Sequence, residues 1–156
     1  MPVYCLLDDK KNIKGLKTFY VKDEELFKAE NEKGFGVFFA VNEFNVSDEK
    51  LEEYRKTSGK PDATRRNNDL CTKLRYVYGD LDVAKVSEGL SREEKETRKE
   101  KLFKALLEKC EPTLIINTSN GLQPLWQITD TEPTDENKTR YVKVNQGVVE
   151  WSKQFG

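Results

Sequence analysis

The chain is 156 residues long, with 27 basic and 28 acidic side chains, a net charge of −1 and no histidine. That length supports one domain with a real core but not comfortably two. The balanced charge leaves no global basic signature, so a nucleic-acid partner would have to be held by a local patch or a metal, and the missing histidine excludes histidine-based triads, histidine-ligated zinc and the His-hydrophobe-His nickases.

Apolar residues make up 36% of the chain and charged residues 35%, hydrophilic overall yet with enough aromatics to fold. Cys5, Cys71 and Cys110 are odd in number, far apart and outside any C-x-x-C, which reads as reduced thiols in a cytoplasmic protein rather than staples or zinc ligands. No apolar run approaches the ~20 residues of a membrane span, so no membrane partner is expected.

Pro2 to Leu7 and Leu16 to Val21 read as short strands around a turn at Asp8-Asp9-Lys10-Lys11-Asn12. Asp23 to Ala29 reads as a short helix with acids in its first turn. Val37 to Val41 is a continuous apolar run, the pattern of a fully buried, central strand. The polar stretch from Asn42 to Asn68 holds a charged helical piece at Asp48 to Lys56 and a loop at Ser58-Gly59-Lys60-Pro61-Asp62. Arg65 and Arg66 follow; an exposed pair is the ordinary reading, and a phosphate contact the functional one.

Leu74 to Ala84 reads as one strand. Alternation puts Asp80 and Asp82 on one face with Leu74, Tyr76 and Tyr78, while Val77, Leu81 and Val83 face a core. Two carboxylates roughly 7 Å apart on one face repel unless a cation lies between them. One or two Mg²⁺ or Mn²⁺ ions suit them, since these take oxygen ligands and leave room for phosphates. The alternative is a solvated acidic turn at a strand end.

Ser91-Arg92-Glu93-Glu94 is a capping box. It opens a helix whose apolar stripe is Leu102, Phe103, Leu106, Leu107 and Cys110, closed by Pro112. Glu93 to Lys101 reads as a solvated face. Thr113 to Asn117 and Leu122 to Ile128 form a hairpin, with Asn120-Gly121 as a type I′ turn. That turn sets Thr118 opposite Gln123, Ser119 opposite Leu122 and Trp126 opposite Ile115. Pro124 suggests an edge or a locally unpaired N–H. Thr134 to Phe155 reads as one amphipathic helix bearing Tyr141, Val144, Val148, Trp151 and Phe155.

The order fits an α+β fold in which an antiparallel or mixed sheet has helices on one face and leaves the other open. An open face carrying two acids, beside a polar hairpin tip, suits nucleotidyl transfer. Thr118, Ser119, the amides around Asn120-Gly121, and Gln123 would meet phosphate oxygens.

Gly36-Val37-Phe38-Phe39-Ala40-Val41-Asn42, Arg65-Arg66-Asn67-Asn68, Tyr78-Gly79-Asp80-Leu81-Asp82-Val83 and the run from Pro112 to Trp126 together resemble the archaeo-eukaryotic primase superfamily, in particular the primase–polymerase domain of plasmids and phages. The likeness runs from about Gly34 to the C-terminus. Its first motif, D-x-D, falls on Asp80 and Asp82. Its second falls on Thr118, Asn120-Gly121, Gln123 and Trp126, with Gln123 where the family has a phosphate-contacting histidine. The resemblance implies a single catalytic domain over 1–156 with an RRM-like palm that copies a DNA template from nucleoside triphosphates using divalent metal, alongside a helicase domain or protein. In the family a third acid usually lies on a strand beyond the last helix, so the chain is expected to be a fragment of a longer protein.

Two other classes fit parts of the pattern. A nucleotide-sugar glycosyltransferase also uses D-x-D with manganese, but would want a parallel nucleotide-binding half upstream. A non-catalytic RRM-like module would bind single strands by stacking bases on Tyr76 and Tyr78.

Overall fold

The computed structural model describes residues 4–8, 17–19, 25, 28, 29, 32, 35–64, 67–84 and 88–155. They divide into two compact units, Met1–Leu74 and Arg75–Gly156. The helix expected at Asp23 to Ala29 falls largely outside the described residues.

In the first unit β1 (Tyr4–Asp8), β2 (Lys17–Phe19) and β3 (Phe35–Phe39) form an antiparallel sheet in the order β2-β1-β3. Tyr4 pairs with both Phe19 and Phe39, so β1, not the more apolar β3, is the central strand of this sheet. A continuous apolar run shows that a strand can be buried, not how many neighbours it hydrogen-bonds. Helix α1 (Asp48–Thr57) is capped by Ser47, whose side chain accepts from the Lys50 N–H. Val46, Leu51 and Leu70 form a small core with Tyr54 packed against it. The Tyr54 hydroxyl bonds to Asp69 and, at 3.3 Å, to Asn67 Oδ1, while Lys60 Nζ reaches Asp69 Oδ2 at 3.0 Å. This polar cluster ties the loop after α1 to the residues that lead into the next strand.

The second unit is a four-stranded antiparallel sheet with two helices. Strands β4 (Leu74–Tyr78) and β5 (Leu81–Asp82) lie along one side of β7 (Gly121–Thr131), and β6 (Leu114–Asn117) along the other. Helices α2 (Arg92–Cys110) and α3 (Asp135–Ser152) share one core with the sheet. Leu81, Val83, Leu102, Leu106 and Leu122 are its buried centre, with Ile115, Trp126, Val148, Trp151 and Phe155 packed around them. Each such buried side chain contributes about 1.5–3 kcal/mol. The mixed α/β architecture agrees with the α+β expectation. The expected stripes are wider than the buried ones: Phe103, Leu107 and Val144 remain exposed.

The capping box forms as expected. Ser91 Oγ accepts from the Glu94 N–H at 3.3 Å, and Glu94 Oε2 accepts from the Ser91 N–H at 2.8 Å. These bonds hold the Glu94 carboxyl below its ordinary range, the Ser91 side chain first and its backbone second. A lowered carboxylate pKa stabilises above the ordinary value and is lost as pH falls through the lowered one. Ser91→Ala should cost about 1 kcal/mol at neutral pH. Urea unfolding of parent and variant should show that gap narrowing below pH 4.5, the ordinary value.

Candidate functional site

The stretch expected as one strand is split. Between β4 and β5, Gly79 and Asp80 fall out of regular pairing, and the cause lies across the ladder. Pro124 sits in β7, a strand paired on both sides, rather than at an edge. Its carbonyl accepts the Gly79 N–H at 3.1 Å, but proline has no N–H to return to the Gly79 carbonyl. One rung is therefore missing. The register nonetheless runs straight through: Leu81 pairs with Leu122, Asp82 with Gly121, and the Val83 N–H reaches the Asn120 carbonyl at 3.0 Å.

In that register Asp80 stands opposite Gln123, and Gln123 Nε2 donates to Asp80 Oδ1 at 2.9 Å. Asp80 and Asp82 are both exposed, while Leu81 between them is 1% exposed in the core. Alternation thus turns both carboxylates away from the core that Leu81 enters. Asp130, another acid of this unit, is held in an ion pair by Arg75 at 3.4 Å.

The hairpin register differs from the expected one by two residues. Ile116 pairs with Gln123, Asn117 with Leu122 and Ile115 with Pro124. The Thr118 N–H donates to the Gly121 carbonyl at 3.0 Å, so the loop is Ser119-Asn120. Thr118 Oγ1 also accepts the Gly121 N–H at 3.0 Å. Gly121 does not adopt positive φ, which a type I′ turn would require of it. It serves another purpose: a Cβ there would lie 2.0 Å from the Leu81 carbonyl oxygen and 2.8 Å from Asp82 Cα. The glycine lets β7 come close to β5. Trp126 packs against the core, its indole N–H donating to the Cys110 carbonyl.

The hairpin tip turns toward α2. Asn120 Oδ1 accepts from Lys95 Nζ at 3.1 Å. Lys99 is only 5% exposed, and its ammonium donates to Glu96 Oε1 at 2.9 Å, to Asn117 Oδ1 at 3.0 Å and to the Thr118 carbonyl. Arg98 donates to the Val83 carbonyl at 2.9 Å. Glu93 to Lys101 is therefore not merely a solvated face. The signal was present in the spacing: the stripe Leu106, Leu102, continued backward by helical steps, reads Lys99, Lys95, Arg92. Removing the Lys99 donor strands the Asn117 and Thr118 oxygens, so Lys99→Met should cost about 1–3 kcal/mol in urea unfolding.

Asp80, but not Asp82, lines a cleft of about 620 Å³ together with Tyr78, Asn145, Gly147 and Glu150 among others. Asn145 Oδ1 accepts the Tyr78 N–H at 3.2 Å, covering a donor of the strand beside α3. No family model, curated protein or solved structure matches the chain. Of the residues singled out in the sequence, Asp80, Asp82, Gly121 and Gln123 come together, whereas Thr118, Ser119 and Asn120 line a separate cleft with α2. Arg66 lies outside the described residues. Among the described residues no group of three or more acids or thiols could hold a metal by itself. The Asp80–Asp82 pair still suits Mg²⁺ or Mn²⁺, which are commonly bound by one or two carboxylates with waters and substrate phosphates completing the shell. No helix among the described residues is long and apolar enough to cross a membrane.

Proposed function

We propose that the Arg75–Gly156 unit is an RRM-like palm of a metal-dependent, template-directed nucleotidyltransferase, a DNA primase–polymerase of the type the sequence resembles. The observation that carries this reading is the pairing of Asp80 with Gln123 beside Asp82 on the exposed sheet face. Gln123 occupies the position of the resembled family's histidine and can donate a hydrogen bond, though never a full charge.

In this reading Asp80 and Asp82 hold Mg²⁺ or Mn²⁺, which when bound lowers the pKa of an attacking hydroxyl and neutralises the triphosphate. Gln123 fixes one oxygen of the exposed Asp80 carboxylate. Tyr78, 39% exposed at the adjoining cleft, offers an apolar face for a base or sugar. The partners are nucleoside triphosphates and a DNA template strand, with a helicase domain or protein acting beside them.

The test is calorimetric titration with a nucleoside triphosphate in Mn²⁺ and again in EDTA. A saturable component that requires Mn²⁺, with paramagnetic broadening centred on the amides of residues 80–82, supports the reading. The absence of any Mn²⁺-dependent component, or of broadening at those amides, overturns it. The exposure of Tyr78 favours one other reading, a single-strand-binding module without catalysis, whose mark is oligonucleotide binding through the Asp80 face undiminished by EDTA.

A further inference from the structure

On the helix side of the same hairpin lies a second cleft, of about 450 Å³, whose lining is entirely polar or charged. Arg92, Lys95 and Lys99 enter it from α2, and Thr118, Ser119 and Asn120 from the hairpin tip; Glu96 is its one carboxylate. Three cations against one acid give a local excess of two positive charges in a chain of net charge −1. A balanced surface does not concentrate like charge in a concavity without cost, because the cations repel one another.

The placement of the cations is specific. Lys99 is buried, and its ammonium is held by Glu96 Oε1, Asn117 Oδ1 and the Thr118 carbonyl, so it is a fixed charge beneath the cleft floor. Lys95 is half-buried and steadied by Asn120 at 3.1 Å, while Arg92 is exposed at the rim. Ser119 is exposed at the tip and offers a hydroxyl donor from the opposite wall. Arg92, Lys95 and the Ser119 hydroxyl border one concave space and supply the donors, a set that matches a tetrahedral oxyanion, while Lys99, its three N–H groups already engaged, adds only charge.

We propose that this cleft binds a phosphate group, of a nucleic-acid strand or of a nucleotide tail, at a site separate from the Asp80–Asp82 face. The site uses none of the carboxylates of that face and requires no metal. It therefore stands or falls independently of the catalytic reading.

The test is ¹H–¹⁵N NMR titration of the whole chain in EDTA with three probes: inorganic phosphate, dTTP and a twelve-residue oligothymidylate. Expected are saturable shifts at the amides of residues 92–95 and 118–120 but not at 80–82, with the tightest probe revealing whether the phosphate belongs to a strand or to a nucleotide. Arg92→Gln with Lys95→Gln should weaken the tightest probe by about tenfold or more, whereas Lys104→Gln with Lys109→Gln on the exposed part of α2 should leave it unchanged. Ser119→Glu, on the exposed tip, is the second variant and should weaken binding similarly should the double variant prove unstable. The proposal is overturned when none of the probes gives saturable shifts at these amides, or when the Lys104 and Lys109 variant loses as much affinity as the cleft variants.

Discussion

Asp80→Asn combined with Asp82→Asn should abolish the Mn²⁺-dependent part of the rise in melting temperature that Mn²⁺ plus a nucleoside triphosphate gives the parent chain. A ligand that binds only the folded state at a hundred times its dissociation constant stabilises by about 2.7 kcal/mol. For a unit of this size that is about 10 °C or more in Tm. The asparagines keep the shape of the aspartates, and the amide carbonyl that replaces the Asp80 carboxylate can still accept from Gln123. What they remove is the pair of negative charges. Without metal the double variant should melt at or slightly above the parent temperature, because two exposed like charges on one sheet face no longer repel. Differential scanning calorimetry with and without Mn²⁺ and nucleotide reads both effects. A double variant that still responds as the parent does would remove the metal role of these residues and leave Gln123–Asp80 as a structural bond.

The second large effect is structural. Gly121→Ala should destabilise the chain by about 3 kcal/mol or more, since overpacking against backbone commonly costs 1–3 kcal/mol and here no side chain can yield. The added Cβ would meet the Leu81 carbonyl oxygen at 2.0 Å and Asp82 Cα at 2.8 Å, so β5 must move away from β7. Gly79→Ala, by contrast, meets Leu81 Cδ2 at 2.7 Å and Val148 Cγ1 at 3.0 Å, both side-chain ends that can turn aside. The alanine at 121 should therefore be the more damaging of the two in urea unfolding. Equal costs would show that the strands separate more readily than the 2.0 Å approach implies.

Much of the second unit can be read from residue order alone. The inward set Leu81 and Val83 and the outward pair Asp80 and Asp82 follow from alternation, and Ser91 with Glu94 marks the start of α2. The hairpin register does not follow, because Asn120-Gly121 satisfies a local turn preference as well as any dipeptide can. Contact between β7 and β5 puts the glycine to a different use, and no local rule reports a neighbour so distant in sequence. Lys99 escaped for a related reason. A lysine among glutamates reads as solvated until its step from Leu102 and Leu106 is counted, and its burial depends on acceptors supplied by Asn117 and Thr118. Of the two readings of Pro124, an edge or a local loss of pairing, the second holds, since a central strand tolerates the loss when only one rung is affected.

That absent rung has a mechanical consequence for the acid beside it. The Gly79 carbonyl receives no donor from Pro124, so the residue before Asp80 is anchored across the sheet by its own N–H alone. Asp80 consequently rides on a softer piece of backbone than Asp82, which lies between the paired Leu81 and the Val83 N–H bonded to Asn120. Of the two carboxylates it is the one whose place depends more on a side-chain tether, the Gln123 amide at 2.9 Å, than on the ladder beneath it.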